Sequence, residues 1–398
     1  MIPRIREAFN REFKDDYYEN LQNEVADTFG EPCAFRISET PVFLDREIKQ
    51  KVFEACDAIL EQINAMDFEA VRQRFTPKHL QSPSPLGNPH FLAIDFGLCD
   101  DGKGGIGPQL IELQAFPSLM FYQPFLGRTF LKNYPNIPKK GFQYYLDGLD
   151  EKRYLEEVGK VIVGEENPEN VILLELFPEK QKTRIDFWAT RKALGIEVVC
   201  LTKVIKEGRN LFYEKNGKRI PITRIYNRVI FDELQRIENL KTDFNLFDDV
   251  EVEWITHPDW FFIISKCIMP MLRHQAIPPS YYLNDYPEGI DLHDYVMKPL
   301  FSFAGKGIDL HPTSETIAQI KDKQNYLLQR KVVYAPLIKT NTEKNSKVEL
   351  RILYAWNTME NRLKPIINLT RMGKGDLINV SHLTQDTWIG SSISFFEE

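Results

Sequence analysis

The sequence lacks the features that mark several specialised classes of protein. None of its five cysteines forms a CxxC pair or stands at zinc-ligand spacing from a histidine, so we expect reduced, mostly structural thiols. No apolar stretch has the length of a signal peptide or a membrane span, which predicts a cytoplasmic protein without a membrane partner. A net charge of -7 with interspersed signs argues against nucleic acid as a partner.

The composition is that of a globular enzyme. The chain has 398 residues, of which 43% are hydrophobic, enough to bury a large core in two or three closely packed lobes. We divide it into residues 1–165, with N-terminal helices and a first strand pair, residues 166–255, a small accessory α/β lobe, and residues 256–398. No pattern in the sequence predicts an oligomeric state.

Apolar periodicity predicts most of the helices and strands. Residues 47–74 repeat at helical spacing and predict one long amphipathic helix. Residues 91–96 and 109–116 predict two strands joined by a loop rich in glycine and aspartate. Residues 170–228 predict strand, helix and strand with a polar hairpin, and residues 260–273 predict a helix that ends at a proline-rich turn.

Two acidic residues stand within the predicted strand pair. Asp95 ends the first strand, and Glu112 and Gln114 lie two positions apart in the second, hence on one face. Their oxygen atoms are of the type that magnesium prefers. The alternative is that the acids are merely exposed strand residues, but an acid with apolar neighbours on both sides usually has a partner.

The segment KPLFSFAGKG, residues 298–307, combines a lysine at a strand end with a loop of small residues. Lys298 and the free backbone amides of such a loop can approach a polyphosphate. The spacing does not match the phosphate-binding loop GxxxxGK[ST]. Taken alone, the segment is better explained as an ordinary glycine turn with a solvated lysine.

Together these motifs resemble those of the glutathionylspermidine synthase and eukaryotic-type glutathione synthetase families. The resemblance rests on IDF, IELQAFPS, a distant SK and KPLFSFAGKG, and it is faint between them. Those families share a circularly permuted ATP-grasp fold, in which the metal-binding strands precede the nucleotide lysines, as they do here. The resemblance therefore implies this α/β (α+β) fold class, with ATP and Mg²⁺ as cofactors.

The resemblance also implies roles for residues of the metal and phosphate sites. Asp95 and Glu112 match acidic magnesium ligands, and Gln114 stands at a third ligand position. Lys266 and Lys298 match the two nucleotide lysines. The mobile loop that covers the phosphates corresponds to Ser302, Gly305, Lys306 and Gly307.

Further matches concern the nucleoside and the reacting phosphate. Gln329 and Val332 lie in the segment whose backbone meets adenine, and Glu349 matches the acid that faces the nucleoside. Arg371 matches the basic residue near the reacting phosphate and is assigned to catalysis together with Lys298. Asn379 is a weaker candidate for the same role.

Two residues are candidates for substrate contact. Ser118 follows the metal strand directly, in a turn that the related families use for this purpose. Arg228 of the accessory lobe can bind a substrate carboxylate through both arms of its guanidinium, although an exposed strand arginine is an equal alternative.

Three residues depart from the family pattern. Gln114 replaces an asparagine, and Ser302 replaces a metal-binding glutamate of glutathione synthetase; both changes favour weak or absent catalysis. Ala93 replaces an arginine that holds the thiol peptide, so glutathione is not the expected substrate.

The predicted function is an ATP- and Mg-dependent carboxylate–amine ligase that forms an amide or peptide bond from small-molecule substrates. It would act through an acyl phosphate, a reaction that needs alignment and charge neutralisation more than a protein nucleophile. The main alternative is a catalytically weak or inactive relative that binds a nucleotide or a peptide. A kinase-like phosphotransferase is a third hypothesis.

Overall fold

The computed structural model describes residues 2–302, 305–375, 378 and 386–398 of the chain. It is a mixed α/β structure with several sheets. The helices are α1 (Pro3–Glu12), α2 (Asp15–Phe29), α3 (Arg46–Asn64), α4 (Phe68–Phe75), α5 (Tyr122–Asn133), α6 (Glu151–Val163), α7 (Arg184–Leu194), α8 (Phe231–Leu234), α9 (Trp260–Ile263) and α10 (Ser314–Gln319). The strands are β1 (Val42–Leu44), β2 (Phe91–Asp100), β3 (Ile106–Gln114), β4 (Phe142–Gln143), β5 (Val171–Glu175), β6 (Glu197–Cys200), β7 (Ile205–Glu207), β8 (Asn210–Lys215), β9 (Lys218–Ile222), β10 (Arg224–Asn227), β11 (Glu253–Ile255), β12 (Ser280–Tyr282), β13 (Tyr295–Pro299), β14 (Tyr326–Arg330), β15 (Lys347–Asn357), β16 (Arg362–Gly373), β17 (Gly390–Ser392) and β18 (Ser394–Glu397).

The central sheet is antiparallel and has the strand order β17-β16-β15-β2-β3. Its β2–β3 hairpin confirms the predicted strand pair. The Asp101 carboxylate accepts the backbone N–H groups of Lys103 and Gly105, each at 2.9 Å, and so fixes the hairpin loop. One face of the sheet is apolar and packs against α3; the other carries the charged residues described below.

The helix predicted over residues 47–74 is two helices, so the prediction of one continuous helix is wrong. The apolar face of α3 is buried in the core at Ile48, Val52, Ala55, Cys56, Ile59 and Ile63. After Asn64 the chain turns, and Asp67 accepts the Ala70 N–H at 3.0 Å to start α4. An N-cap of this kind supplies a partner for an N–H that has none within the helix.

The predicted accessory elements are present, the strand-helix-strand unit in a second sheet and the hairpin in a third, β7-β8-β9. Strands β11-β10-β5-β6 form a parallel sheet in that order, with α7 between β5 and β6 in the chain. The polar hairpin joins β8 to β9 through Asn216 and Gly217, which have φ angles of 51° and 74°. Such positive angles are those of a two-residue hairpin turn, for which Asn-Gly is the favoured sequence.

A small antiparallel sheet, β12-β14-β13, lies against β3. The predicted helix over residues 260–273 is wrong in detail: α9 covers one turn, and a 3-10 helix, Lys266–Met271, follows it. The α-helix ends at Ile263, after which Ile264 is extended, and Pro270, which has no N–H to donate, lies inside the 3-10 helix.

Two further findings concern membrane spans and thiols. Within the described ranges, no helix is both long and apolar enough to cross a membrane. All five cysteines are free thiols.

Candidate functional site

The central sheet places two acids and an arginine side by side. Asp95 of β2 lies directly opposite Glu112 of β3 and Arg351 of β15. Two positions along the strands, Glu349 of β15 lies opposite Arg371 of β16. Because directly opposed residues share a face and side chains alternate with a period of two, these five charged groups form two adjacent rows on one face.

Arg351 lies at the centre of this group. Its Nε donates to Asp95 Oδ1 at 2.6 Å and its Nη2 to Oδ2 at 2.5 Å, and Arg371 Nη2 donates to the same Oδ2 at 2.7 Å. With its amide oxygen turned toward the guanidinium, Gln114 accepts from Nη1 and Nη2 at 3.0 and 2.6 Å. Glu112 Oε1 is 3.8 Å from Nη2. The three residues predicted as metal ligands therefore surround a guanidinium.

Lys266 approaches the same group from the 3-10 helix. Its Nζ donates to the carbonyl oxygen of Ser302 at 2.6 Å and is 3.8 Å from Glu112 Oε2. Burial lowers the pKa of Lys266, and Glu112 opposes this only in part. Burial alone would raise the pKa of Glu112, but the cations around it, Lys266 first, hold that pKa below its ordinary value.

Lys298 lies on β13, and its side chain is 7% exposed. The alternative of a glycine turn with a solvated lysine is therefore wrong for this residue. Its Nζ donates to Gln329 Oε1 at 2.6 Å and to the carbonyl oxygen of Ile111 at 3.3 Å. Burial lowers the pKa of Lys298 to about 8, with Glu112 acting in the opposite direction. The lysine is thus charged at neutral pH but only weakly compensated.

A β-bulge explains how the small sheet joins the central one. The register of β2 on β3 shifts after Asp95, so Ile111 has no partner on β2 and its carbonyl is free to accept Lys298. The adjacent Leu110 carbonyl accepts Gln329 Nε2 at 2.8 Å. These two hydrogen bonds close the cleft between the sheets at its inner end.

The residues matched to the nucleoside are also in contact with one another. The Tyr334 hydroxyl donates to Glu349 Oε1 at 2.5 Å, and burial raises the pKa of this carboxyl. Val332 and Tyr334 cover Gly97, where a Cβ atom would lie 2.7 and 2.8 Å from their side chains. Only glycine allows this approach. Side chains of the protein therefore cover the face of the sheet beside Glu349.

The loop after Lys298 is described in part. Ser302 is 9% exposed, and Gly305 and Gly307 both have φ = 73°. Lys306 is exposed. The two positions between Ser302 and Gly305, and the candidate Asn379, lie outside the described residues.

The two substrate candidates lie at one turn. Arg228 is 4% exposed, which rules out the exposed strand arginine, and its Nη1 donates to the carbonyl oxygen of Pro117, next to Ser118. The Asp186 carboxylate fixes the same turn by accepting three backbone N–H groups at 2.8–2.9 Å, those of Leu119, Phe121 and Tyr122. The half-buried Ser118 is therefore held in a rigid loop beside a buried cation.

Little free space remains among these groups. A cavity of about 10 Å³ lies between β3 and the residues that carry Lys266 and Ser302. This is no more than one water molecule requires. A nucleotide can enter here only if the small sheet and the segment after β14 move away from the central sheet.

The donor set does not fit a magnesium ion in this arrangement. Magnesium requires oxygen ligands at about 2.0–2.1 Å. Both oxygens of Asp95 and the oxygen of Gln114 already accept arginine hydrogens. Across the described part of the chain, no group of three or more His, Cys, Asp or Glu residues is placed to hold a metal ion.

Sequence reasoning missed Arg351 although a signal was present. Arg351 is two residues after Glu349 in the strand VELRILYAW, so the two side chains share a face. A charged residue flanked by Leu350 and Ile352, both fully buried, needs a partner for the same reason as Asp95. Tyr334 carried no comparable signal, because its contact with Glu349 depends on the path of an irregular segment.

Comparisons with known proteins support the fold only. No family model matches the chain, and no curated protein matches it. Solved structures similar to this chain include a glutathione synthetase-like effector from Globodera pallida in its apo form, with a TM-score of 0.58 over 98% of this chain and 97% of that chain. The two sequences are 11% identical, so the similarity concerns a glutathione synthetase-like fold and not an activity.

Proposed function

We propose that this chain is a catalytically weak or inactive member of the circularly permuted ATP-grasp group that binds a polyphosphate nucleotide, such as ATP. The ligand would lie between the central sheet and the small sheet of β12, β13 and β14. The order of elements supports this fold, because the β2–β3 pair precedes Lys266 and Lys298 in the chain. The glutathione synthetase-like neighbour supports it as well.

The observation that carries the proposal is a pair of buried lysines whose hydrogen-bond partners are neutral. Among the described residues, both ammonium groups donate to neutral oxygens, those of Ser302, Ile111 and Gln329. A buried cation is costly unless a charged partner compensates it. A polyphosphate would replace the neutral oxygens by charged ones, which form the stronger hydrogen bonds.

The balance of charge at the cleft points the same way. Four cations, Lys266, Lys298, Arg351 and Arg371, face three carboxylates, Asp95, Glu112 and Glu349. Burial raises the pKa of Glu349, and Arg371 opposes this rise. These seven groups together carry a net positive charge, which suits an anion.

The remaining matched residues would contact other parts of the nucleotide. Ser302 and the loop to Gly307 would lie along the phosphates, where a chain with glycine can offer backbone N–H groups. Gln329 and Val332 would lie beside the base, and Glu349 beside the sugar once Tyr334 has released it.

The second candidate is the ATP- and Mg-dependent ligase of small-molecule carboxylates and amines. The site at Arg228 and Ser118 favours it, because a buried cation beside a rigid turn suits a substrate carboxylate. Arg371 and Lys298 would then stabilise the charge of the transferred phosphoryl group. The magnesium ions that supply charge neutralisation in such a reaction do not fit the occupied oxygens of Asp95 and Gln114.

Product analysis separates the two candidates. The protein is incubated with ATP, Mg²⁺ and a panel of amino acids and polyamines, with hydroxylamine present to trap an acyl phosphate. We expect saturable ATP binding without ADP above the buffer control. Amine-dependent release of ADP with a trapped hydroxamate would replace our proposal by the ligase.

The lowered pKa of Lys298 predicts a pH dependence of nucleotide binding. The anion binds the protonated lysine, so affinity is present below a pH of about 8 and is lost as the pH rises through that value. We expect ATP affinity to fall by about tenfold between about pH 7.5 and about pH 9, a range in which the phosphates are already ionised. Calorimetric titration at several pH values measures this. The variant Lys298→Met should show a clearly smaller slope; an equal slope would mean that another group is responsible.

A further inference from the structure

We infer that Arg351 is the resident cation of this site and takes the place of divalent metal ions, so that ligand binding here is independent of metal. The argument begins with the position of Arg351 in the sheet. Its register partner is Asp95, whose own partner on the other side is Glu112. A cation at Arg351 is therefore held by the same acids that a metal would use.

The hydrogen bonds of the guanidinium account for nearly all its donors. Two N–H groups go to Asp95 and two more are directed at the Gln114 oxygen, out of the five that arginine has. Arg351 is 7% exposed and Asp95 1%. Because Arg351 is buried and most of its N–H groups already have acceptors, it cannot bind a phosphate through two parallel hydrogen bonds. In this respect it differs from Lys266 and Lys298.

The charges around Arg351 determine whether a divalent ion can bind at this place. Asp95 and Glu112 place two negative charges beside Arg351, with Arg371 shared by Asp95 and Glu349. A divalent ion added to this set would lie against the positive charge of the guanidinium. Removal of the Arg351 charge would leave two carboxylates and an amide oxygen, the ligand type that Mg²⁺ and Mn²⁺ accept.

The test is Mn²⁺ binding to the full-length protein without nucleotide, measured by calorimetry and by the electron paramagnetic resonance of free Mn²⁺. We expect Arg351→Met to bind Mn²⁺ at least about tenfold more tightly than wild type. Arg351→Lys, which keeps the charge, should gain nothing. The double variant D95N/R351M should lose the gain, because it removes one of the two acids.

Instability of the variant does not prevent the test. If Arg351→Met cannot be purified, Arg351→Gln can hydrogen-bond to Asp95 while it also removes the charge, and the same gain is expected. Wild-type protein that binds Mn²⁺ tightly in a manner abolished by Glu112→Gln would overturn the inference, and so would folded charge-removed variants without any gain. The inference deepens the proposed function and rests on it for the nature of the ligand; since these titrations contain no nucleotide, a failure to bind ATP would be seen separately.

Discussion

Replacement of Asp95 by alanine is expected to lower the free energy of unfolding by about 3–5 kcal/mol, the range for breaking a buried ion pair from one side. Asp95 is 1% exposed and accepts three hydrogen bonds from Arg351 and Arg371. Its loss leaves Arg351 buried without an acid at hydrogen-bonding distance. Urea denaturation followed by circular dichroism measures the change.

Two controls show whether this loss comes from the buried cluster. Glu360→Gln removes an acid that pairs with the exposed Arg362 and with the half-buried Lys364, which keeps Asp147 as a partner, and should change stability little. D95A/R351M removes both partners of the buried pair and should recover most of the lost stability, since apolar replacements of buried pairs are often neutral. A loss of less than about 1 kcal/mol for Asp95→Ala would contradict the buried cluster.

Replacement of Lys298 by methionine is expected to weaken ATP binding by about 30-fold or more, since loss of one partner of a buried charge pair costs about 2–5 kcal/mol. The same variant should keep or raise the melting temperature of the free protein. The reason is that burial of the Lys298 charge, which Glu112 offsets only in part, opposes folding, as its lowered pKa indicates. Calorimetry and thermal denaturation measure the two effects.

The matched control for Lys298 is an exposed lysine outside the residues assigned to the site. Lys192→Met, in α7, should change ATP affinity much less, because an exposed charge is screened by solvent. A Lys298→Met variant that binds ATP as wild type does would show that the ligand of this protein does not contact the buried lysines.

The strand pair of the site could be predicted because its sequence carries redundant signals. Two apolar runs define β2 and β3, and the glycines and aspartates between them define the loop. The face shared by Glu112 and Gln114 follows from their spacing alone. Their convergence with Lys266 and Lys298 followed from the family resemblance and could not be derived from spacing.

The errors in helix prediction have local physical causes. Residues 47–74 keep a helical period across Asp67, so periodicity did not reveal that Asp67 caps a second helix. Residues 260–273 are almost entirely buried on all sides, which removes the amphipathic pattern that distinguishes an α-helix from the irregular chain found here.

The contacts between side chains in the site could not be predicted from the family pattern, because they depend on how the strands pair. Arg351 is a neighbour of Asp95 only through the register of β15 on β2, which joins residues 256 positions apart. The closure of the cleft depends on a bulge at Ile111 that frees one carbonyl oxygen. A one-residue difference in either feature would change which groups meet.

The most direct test of our account is a calorimetric titration of the wild-type protein with ATP, in EDTA and again in excess Mg²⁺. We predict one saturable site in EDTA, with an affinity that Mg²⁺ does not increase, because Arg351 already supplies the cation. Binding that occurs only with Mg²⁺ would show that the metal ligands open and that the cleft works as in a ligase. Absence of binding under both conditions would contradict a nucleotide site at Lys266 and Lys298.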